Sequence, residues 1–334
     1  MPIFIVGNAR SGTTMMGCIL GNHPAVYTVM KELHFFDKLW SPAATDRKLS
    51  GEETIQLAAK LLNIQANSIF FQEDTDKFQE RARQIVQHLP GTQFSAVEVY
   101  AHFLHAVTAE REKRISCEQT PQYIYYLQDI LSLFPDAKVI HMLRDPRDVL
   151  LSMKNKWQGR FLNKKQSNLK NSFHLWVHYH PIFTSRFWQT AIEKAERLSD
   201  DPRVYVVRFE DVLKFPDKTV TKICAFLGLK YHPDMLNVPI VRSSFIPEDP
   251  ANAKIDPTRA ENWKKGGLNS AELFINQIIT GRLMQKFGYK PVKVFPNPFL
   301  FLWYLCSLPV KACLSFLSQI RDFSNIRDAV KRRL

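Results

Sequence analysis

Apolar positions fall into two kinds of run along this chain. Ile3-Phe4-Ile5-Val6, Lys138-Val139-Ile140-His141-Met142-Leu143 and Val204-Tyr205-Val206-Val207 are short and nearly continuous. Such runs predict strands buried on both faces, as in a parallel sheet. Helical spacing fills the stretches between them. Met15 to Leu20 predicts a helix that stops near Gly21-Asn22-His23-Pro24. Ile55, Leu57, Ala58, Leu61 and Leu62, then Phe78, Ala82, Ile85, Val86 and Leu89, predict helices over residues 52–89 with a loop near Asn67. Further helices are predicted over residues 125–133, after Pro146, and over 173–198, 217–227 and 269–287, the last closed by Gly288. Residues 163–171 are polar and lysine-rich and read as a loop. The alternation predicts an α/β fold, a parallel sheet flanked by helices with a helical C-terminal extension.

The extension has its own pattern. Between Phe299 and Leu317 only Lys311 is charged, and Arg321, Arg327, Lys331, Arg332 and Arg333 follow. The apolar stretch is just long enough to span a bilayer. Pro309 and Lys311 point instead to two short helices lying on a membrane surface, their basic end toward anionic headgroups. Packing on the domain or on a second subunit suits the same residues.

Composition narrows the classes. With 334 residues, 45% of them hydrophobic, the chain has material for a sizeable core. The net charge of +13 suits an anionic partner, or solubility alone. The basic residues are dispersed and no nucleic-acid module is present, so no nucleic acid is expected. Five cysteines without a CxxC pair argue against a disulfide framework or a zinc site and suit a reducing compartment. The first strand begins at Ile3, so the expected location is cytoplasmic, peripheral on a membrane if the tail docks there.

Candidate chemistry begins where the first strand ends. Gly7-Asn8-Ala9-Arg10-Ser11-Gly12-Thr13-Thr14 is a glycine-containing loop between a buried strand and a helix. Backbone N–H groups there add to the positive end of the helix dipole and bind phosphate. The glycine spacing matches a Walker A loop, but Thr13 stands where that loop needs Lys. A nucleotide kinase or NTPase is therefore disfavoured, and Arg10 supplies the positive charge instead. Ser11, Gly12, Thr13 and Thr14 complete the phosphate-binding set. After the second core strand come Arg144 and, two helical turns on, Ser152, which can share one phosphate; Lys156 adds charge one turn later. An Arg144 salt bridge to Asp145 or Asp148 is the ordinary alternative. Arg147 is expected to be structural.

These stretches resemble the sulfotransferases that use 3'-phosphoadenosine 5'-phosphosulfate. Arg10-Ser11-Gly12-Thr13-Thr14 is similar to their 5'-phosphosulfate loop, above all in the tyrosylprotein and heparan sulfate branches. Leu143 to Ser152 is similar to their 3'-phosphate site. The resemblance implies a P-loop-like fold, that donor as cosubstrate, no metal, and a hydroxyl-bearing acceptor such as a lipid, glycolipid or other glycan. Lys31-Glu32-Leu33-His34-Phe35-Phe36-Asp37 is similar to the stretch whose Glu is the base, which makes Glu32 the expected base and Arg10 its catalytic partner. His34 is the second candidate, against an ordinary hydrogen-bonded buried histidine. An ion pair with Lys31 is the bland alternative for Glu32.

Weaker matches follow. Val207-Arg208-Phe209-Glu210-Asp211 has Phe209 in place of the family's usual Tyr, which leaves packing near the nucleotide without a hydroxyl contact. Arg259 to Gly267 resembles the loop that closes over the donor, with Trp263, Lys264 and Lys265 as candidate contacts. In Glu118-Gln119-Thr120-Pro121, Gln119 replaces a frequent Lys, and a non-catalytic nucleotide-binding relative stays open on the Gln119 and Phe209 departures. The expected organisation is one domain over residues 1–292, with a helical acceptor-side insertion at 39–91, and an apolar, basic tail at 293–334. Arg160, Lys164, Lys165 and Lys170 are candidates to meet an anionic acceptor.

Overall fold

The computed structural model describes residues 1–69, 73–89, 91, 93–162, 176–177, 179–238 and 255–319. Strand β1 (Ile3–Gly7) leads through the glycine loop into helix α1 (Thr13–Gly21) and strand β2 (Val26–Val29). A two-residue strand β3 (Lys48–Leu49) precedes helices α2 (Gly51–Asn67) and α3 (Gln79–Val86). It pairs antiparallel with β4 (Phe94–Ser95). Then come α4 (Ala96–Ala109), β5 (Ile115–Gln119), α5 (Leu127–Leu133), β6 (Lys138–Leu143) and α6 (Pro146–Leu162). The chain continues through α7 (Pro181–Glu196), β7 (Val204–Arg208), α8 (Phe209–Lys214), α9 (Pro216–Leu227), α10 (Ser270–Lys286) and α11 (Pro298–Gln319).

Five strands form one parallel sheet in the order β2-β5-β1-β6-β7. The continuous apolar run of β1 is explained by burial on both sides. Phe4 and Val6 face a core shared with α2, α4 and α5. Ile3 and Ile5 face a second core shared with α1, α8 and α9. A third cluster joins Leu143 and Val149 to Trp188 of α7 and Leu283 and Met284 of α10.

The strand order decides where chemistry can sit. Gly7 of β1 lies beside Met142 of β6, and Leu143 of β6 beside Arg208 of β7. On the other side Ile5 lies beside Gln119, and Glu118 beside Val29. All five strands therefore end along one edge, where open α/β sheets bind ligands.

Several elements depart from the sequence reading. The helix expected from Phe173 starts at Pro181, with Nδ1 of His180 accepting from the Ile182 N–H at 3.3 Å. Trp176 and Val177 are also helical, with a break at Tyr179 and His180; proline suits the first position of the new helix because it has no N–H to leave unpaired. Residues 173–175 lie outside the described residues, as do Lys164, Lys165, Lys170 and the Arg160 side chain. The tail is one helix, not two, and runs through Pro309. A proline inside a helix costs roughly 3 kcal/mol. Here bonds from Tyr304 before it and Lys311 after it hold both halves to the domain. The basic residues from Arg321 onward lie outside the described residues. No helix among the described residues is long and apolar enough to cross a membrane.

Candidate active site

The glycine loop after β1 is built on left-handed backbone. Arg10 has φ 74° and Gly12 φ 92°. Non-glycine residues held there cost of order 1–3 kcal/mol and concentrate at functional sites. Gly12 is required twice. A Cβ on it would lie 2.3 Å from the Phe209 ring. No acidic residue stands in the first turn of α1, so its positive end is left for an anion.

Three guanidinium groups gather behind this loop. Arg10 Nε donates to Ser152 Oγ at 2.9 Å, and Arg144 Nη1 donates to the Arg10 carbonyl at 3.0 Å. Burial, then the charges of Arg144 and Arg259, lower the Arg10 pKa to about 10, and Glu32 offsets part of this. Arg144 lies over the Phe209 ring at 4.5 Å. The salt bridge weighed for Arg144 goes to its neighbour: Asp145 pairs with Arg147 at 2.7 Å. Arg147 also stacks on Trp263 at 3.8 Å, which makes it a structural residue. Among the described residues, Arg144 Nε and Ser11 Oγ are buried without a hydrogen-bond partner. Buried polar atoms are nearly always paired. Two such atoms beside clustered cations suit a bound anion.

Glu32 stands across from the cations. Its carboxylate lies 3.1 Å from Nε2 of His34, whose Nδ1 lies 3.0 Å from Asp37. Among the described residues no Lys31–Glu32 ion pair forms. Burial disfavours the imidazolium, but hydrogen bonds and charges from Asp37 and Glu32 outweigh it and push the His34 pKa up to about 10. The shift favours the imidazolium form, which disfavours His34 as a base, and the ring bridges Glu32 and Asp37.

The segment bearing Glu32 is gripped from β5 and the turn after it. Gln119 Nε2 donates to the Met30 carbonyl at 2.9 Å, the Leu33 N–H donates to Glu118 Oε1 at 3.3 Å, and the Phe35 N–H donates to Tyr123 Oη at 2.8 Å. Glu118 also accepts from Thr120 at 2.6 Å and from the Tyr100 hydroxyl. Burial raises its pKa to about 7. Thr14 Oγ1 donates to Gln119 Oε1 at 3.4 Å, so one side chain touches both the donor loop and the Glu32 segment.

The closing loop is placed differently from the rest. The Trp263 N–H donates to Asp148 at 2.8 Å, and burial pushes the Asp148 carboxyl up to about 6. Lys264 bonds Glu261 at 2.9 Å, beside its own turn, and Lys265 bonds the Thr258 carbonyl at 2.6 Å in the turn before it. Lys156 is half-buried on α6, one turn beyond Ser152. The structure thus brings together Arg10, Ser11, Gly12, Thr13, Thr14, Arg144, Ser152 and Phe209, with Glu32 near them. Among the described residues no bond joins Lys264 or Lys265 to the loop.

A model of the sulfotransferase family matches residues 2–233. The chain belongs to the sulfotransferase family. Among curated relatives, it is similar to Sulfotransferase 2A2 of Rattus norvegicus, 35% identical over 115 residues, covering 34% of this chain and 40% of that protein. It is also similar to an uncharacterized protein of Aquifex aeolicus, 24% identical over 231 residues, covering 64% of this chain and 26% of that protein. The matches thus cover less than half the length of these curated relatives. The sulfotransferase domain of the Synechococcus PCC 7002 olefin synthase has the same fold, with TM-score 0.55 and 24% identity over 86% of this chain and 94% of that one. The sulfotransferase domain from the curacin biosynthetic pathway follows at TM-score 0.52 and 20% identity, over 85% of this chain and 98% of that one.

Two features of the site escaped the sequence. The Gln119 bridge joins residues 105 apart to a third segment, and no local pattern signals it. The Asp37 contact to His34 forms across a left-handed residue at His34, which no spacing in the sequence marks.

Proposed function

We propose that this family member transfers a sulfuryl group from 3'-phosphoadenosine 5'-phosphosulfate to an acceptor hydroxyl. The observation that carries the reading is the cluster of Arg10, Arg144 and Arg259, whose charges oppose one another. Two phosphate groups on one nucleotide would relieve that opposition, and the orphaned Arg144 Nε and Ser11 Oγ offer them bonds. The loop amides and Thr13 and Thr14 hold the 5' end. Arg144 and Ser152 hold the 3'-phosphate, with Lys156 nearby. Phe209 packs beneath Arg144. Trp263, Lys264 and Lys265 close the donor side.

When bound, the donor supplies a sulfuryl group whose bond to the 5'-phosphate oxygen breaks as the bond to the acceptor oxygen forms. Glu32 takes the acceptor proton. His34, held by Asp37, fixes the Glu32 carboxylate by a charge-assisted bond. Arg10 stabilises the charge that grows on the departing phosphate oxygen.

The acceptor is assigned to the side formed by residues 39–91, outside the donor site of the 1–292 domain. A lipid or glycolipid fits best among glycan and lipid hydroxyls, because the described part of the 293–334 tail exposes Phe295, Phe299, Trp303 and Val310, which suit a membrane surface. Five free cysteines suit a protein that meets that membrane from the cytoplasm.

Calorimetry with adenosine 3',5'-bisphosphate against ATP tests the donor, and labelled-sulfate transfer tests the reaction. Tighter binding of ATP would make this a nucleotide kinase or NTPase. Tight bisphosphate binding with no transfer to any lipid, glycan or phenol pool would make it a non-catalytic relative.

A further inference from the structure

Helix α11 wears its faces in reverse. The side toward the domain carries its polar groups. Tyr304 Oη donates to Glu272 at 3.0 Å and accepts from Asn269 Nδ2 at 3.1 Å. Lys311 Nζ donates to the carbonyls of Trp176 at 3.1 Å and Tyr179 at 2.8 Å. His180 Nε2 lies 3.1 Å from the Tyr304 carbonyl. These bonds fix the roll of the helix, so it cannot turn to bury its other side.

That other side is apolar. Phe299, Trp303, Cys306, Val310 and Cys313 follow one another at three- and four-residue steps, which places them in one stripe. Phe299 is 82% exposed, Trp303 64% and Val310 59%, and Phe295 just before the helix is 79% exposed. Soluble surfaces rarely leave a contiguous patch of this kind to water.

Charge says what covers it. Between Glu272 and Asp322 the sequence has no acidic residue, while Arg282, Lys290 and Lys293 in that stretch are exposed; Lys286 is paired with Glu196 and Lys311 faces the domain. A second copy of the chain would bring like charge against like. A lipid surface with anionic headgroups is complementary in both respects, apolar beneath and negative at the rim. The helix does not qualify as a span, so it lies in the interface plane.

We propose that α11 is a membrane-docking helix, with Phe295, Phe299, Trp303 and Val310 entering the headgroup–acyl boundary of an anionic bilayer. The docking draws on no feature of the donor site and is independent of sulfuryl transfer itself, although the lipid acceptor proposed for this protein rests on it.

The test uses the full chain and vesicles of phosphatidylcholine, with or without phosphatidylserine, read by co-sedimentation in the absence of donor and acceptor. The protein is expected to sediment with the anionic vesicles at least about 10-fold more than with the neutral ones. Phe299→Glu with Trp303→Glu is expected to weaken that binding by about 100-fold or more. Its melting temperature should stay that of the parent, because both side chains are exposed. Trp303→Ser alone gives a milder version of the same loss. Three results would overturn the proposal. One is a parent protein that stays in the supernatant with both vesicles. Another is a double variant that binds as the parent does. The third is a lipid-free dimer, seen by light scattering, that the double variant splits, which would make a second copy the occupant.

Discussion

Arg10 and Ser152 are 142 positions apart and joined by a 2.9 Å bond. By the sequence reading they belong to opposite ends of the donor, the 5' loop and the 3'-phosphate site. Their contact joins the two segments proposed to hold the donor's phosphates into one connected surface. Ser152→Ala is expected to weaken adenosine 3',5'-bisphosphate binding by about 10-fold, the worth of a charge-assisted bond. Arg144→Lys should cost more, about 100-fold, because an ammonium cannot take a phosphate bidentately. Calorimetry on the two variants checks both, and equal affinity in Arg144→Lys would remove Arg144 from the 3'-phosphate site.

Glu32→Gln keeps the size of the side chain and removes the base. Transfer of labelled sulfate should fall by about 100-fold to 10,000-fold, with bisphosphate affinity little changed. Full activity in this variant would move the proton-accepting role elsewhere.

The His34 pair gives a pH signature. Its folded pKa of about 10 lies above the ordinary 6.5. The pairing with Asp37 and Glu32 thus stabilises the fold fully below about 6.5, and this is lost as pH rises toward about 10. Urea unfolding of parent and His34→Asn across that window should show their stability difference shrinking with pH. A constant difference would mean that His34 is not charged in the folded protein.

Gln119 makes a sharper claim on position. Gln119→Ala leaves the strand in place but frees the Met30 carbonyl and Thr14 from a common partner. Turnover at saturating donor should drop by roughly 10-fold with KM for donor nearly constant, since misplacement by a fraction of an ångström is felt in the chemical step. An effect confined to KM would assign Gln119 to donor binding alone.

Gly12→Ala tests the loop itself. The new Cβ meets both a left-handed backbone and the Phe209 ring, so the variant should lose about 1–3 kcal/mol of stability together with bisphosphate binding. Thermal unfolding and calorimetry on one sample separate the two losses.

Physical reasons decide what the sequence shows of this molecule. β1, β6 and β7 are apolar enough to read directly. β5 is not, because Glu118 and Gln119 sit within it, and their burial makes sense only once Leu33, Tyr100 and Thr120 are brought to Glu118. β2 is only four residues long, and the reading passes over it. Helix α4 also goes unread, although a capping box at Ser95 and Glu98 marks its start. The donor loop is legible because its chemistry is local. The orientation of His34 between Glu32 and Asp37 is not, since it depends on a left-handed residue at His34 itself.

The inner face of α11 bears on any attempt to shorten the chain. Glu272 is wholly buried and takes bonds from Tyr304, Tyr179 at 2.6 Å and Lys154 at 2.7 Å. Lys154 lies two residues from Ser152 on the same helix. Cutting before Pro298 would strip one donor from a buried carboxylate and open its site to water, next to the helix that carries Ser152. A truncated protein would therefore be a poor reference for the intact one, and charge placed on the outer stripe is the cleaner way to silence the tail.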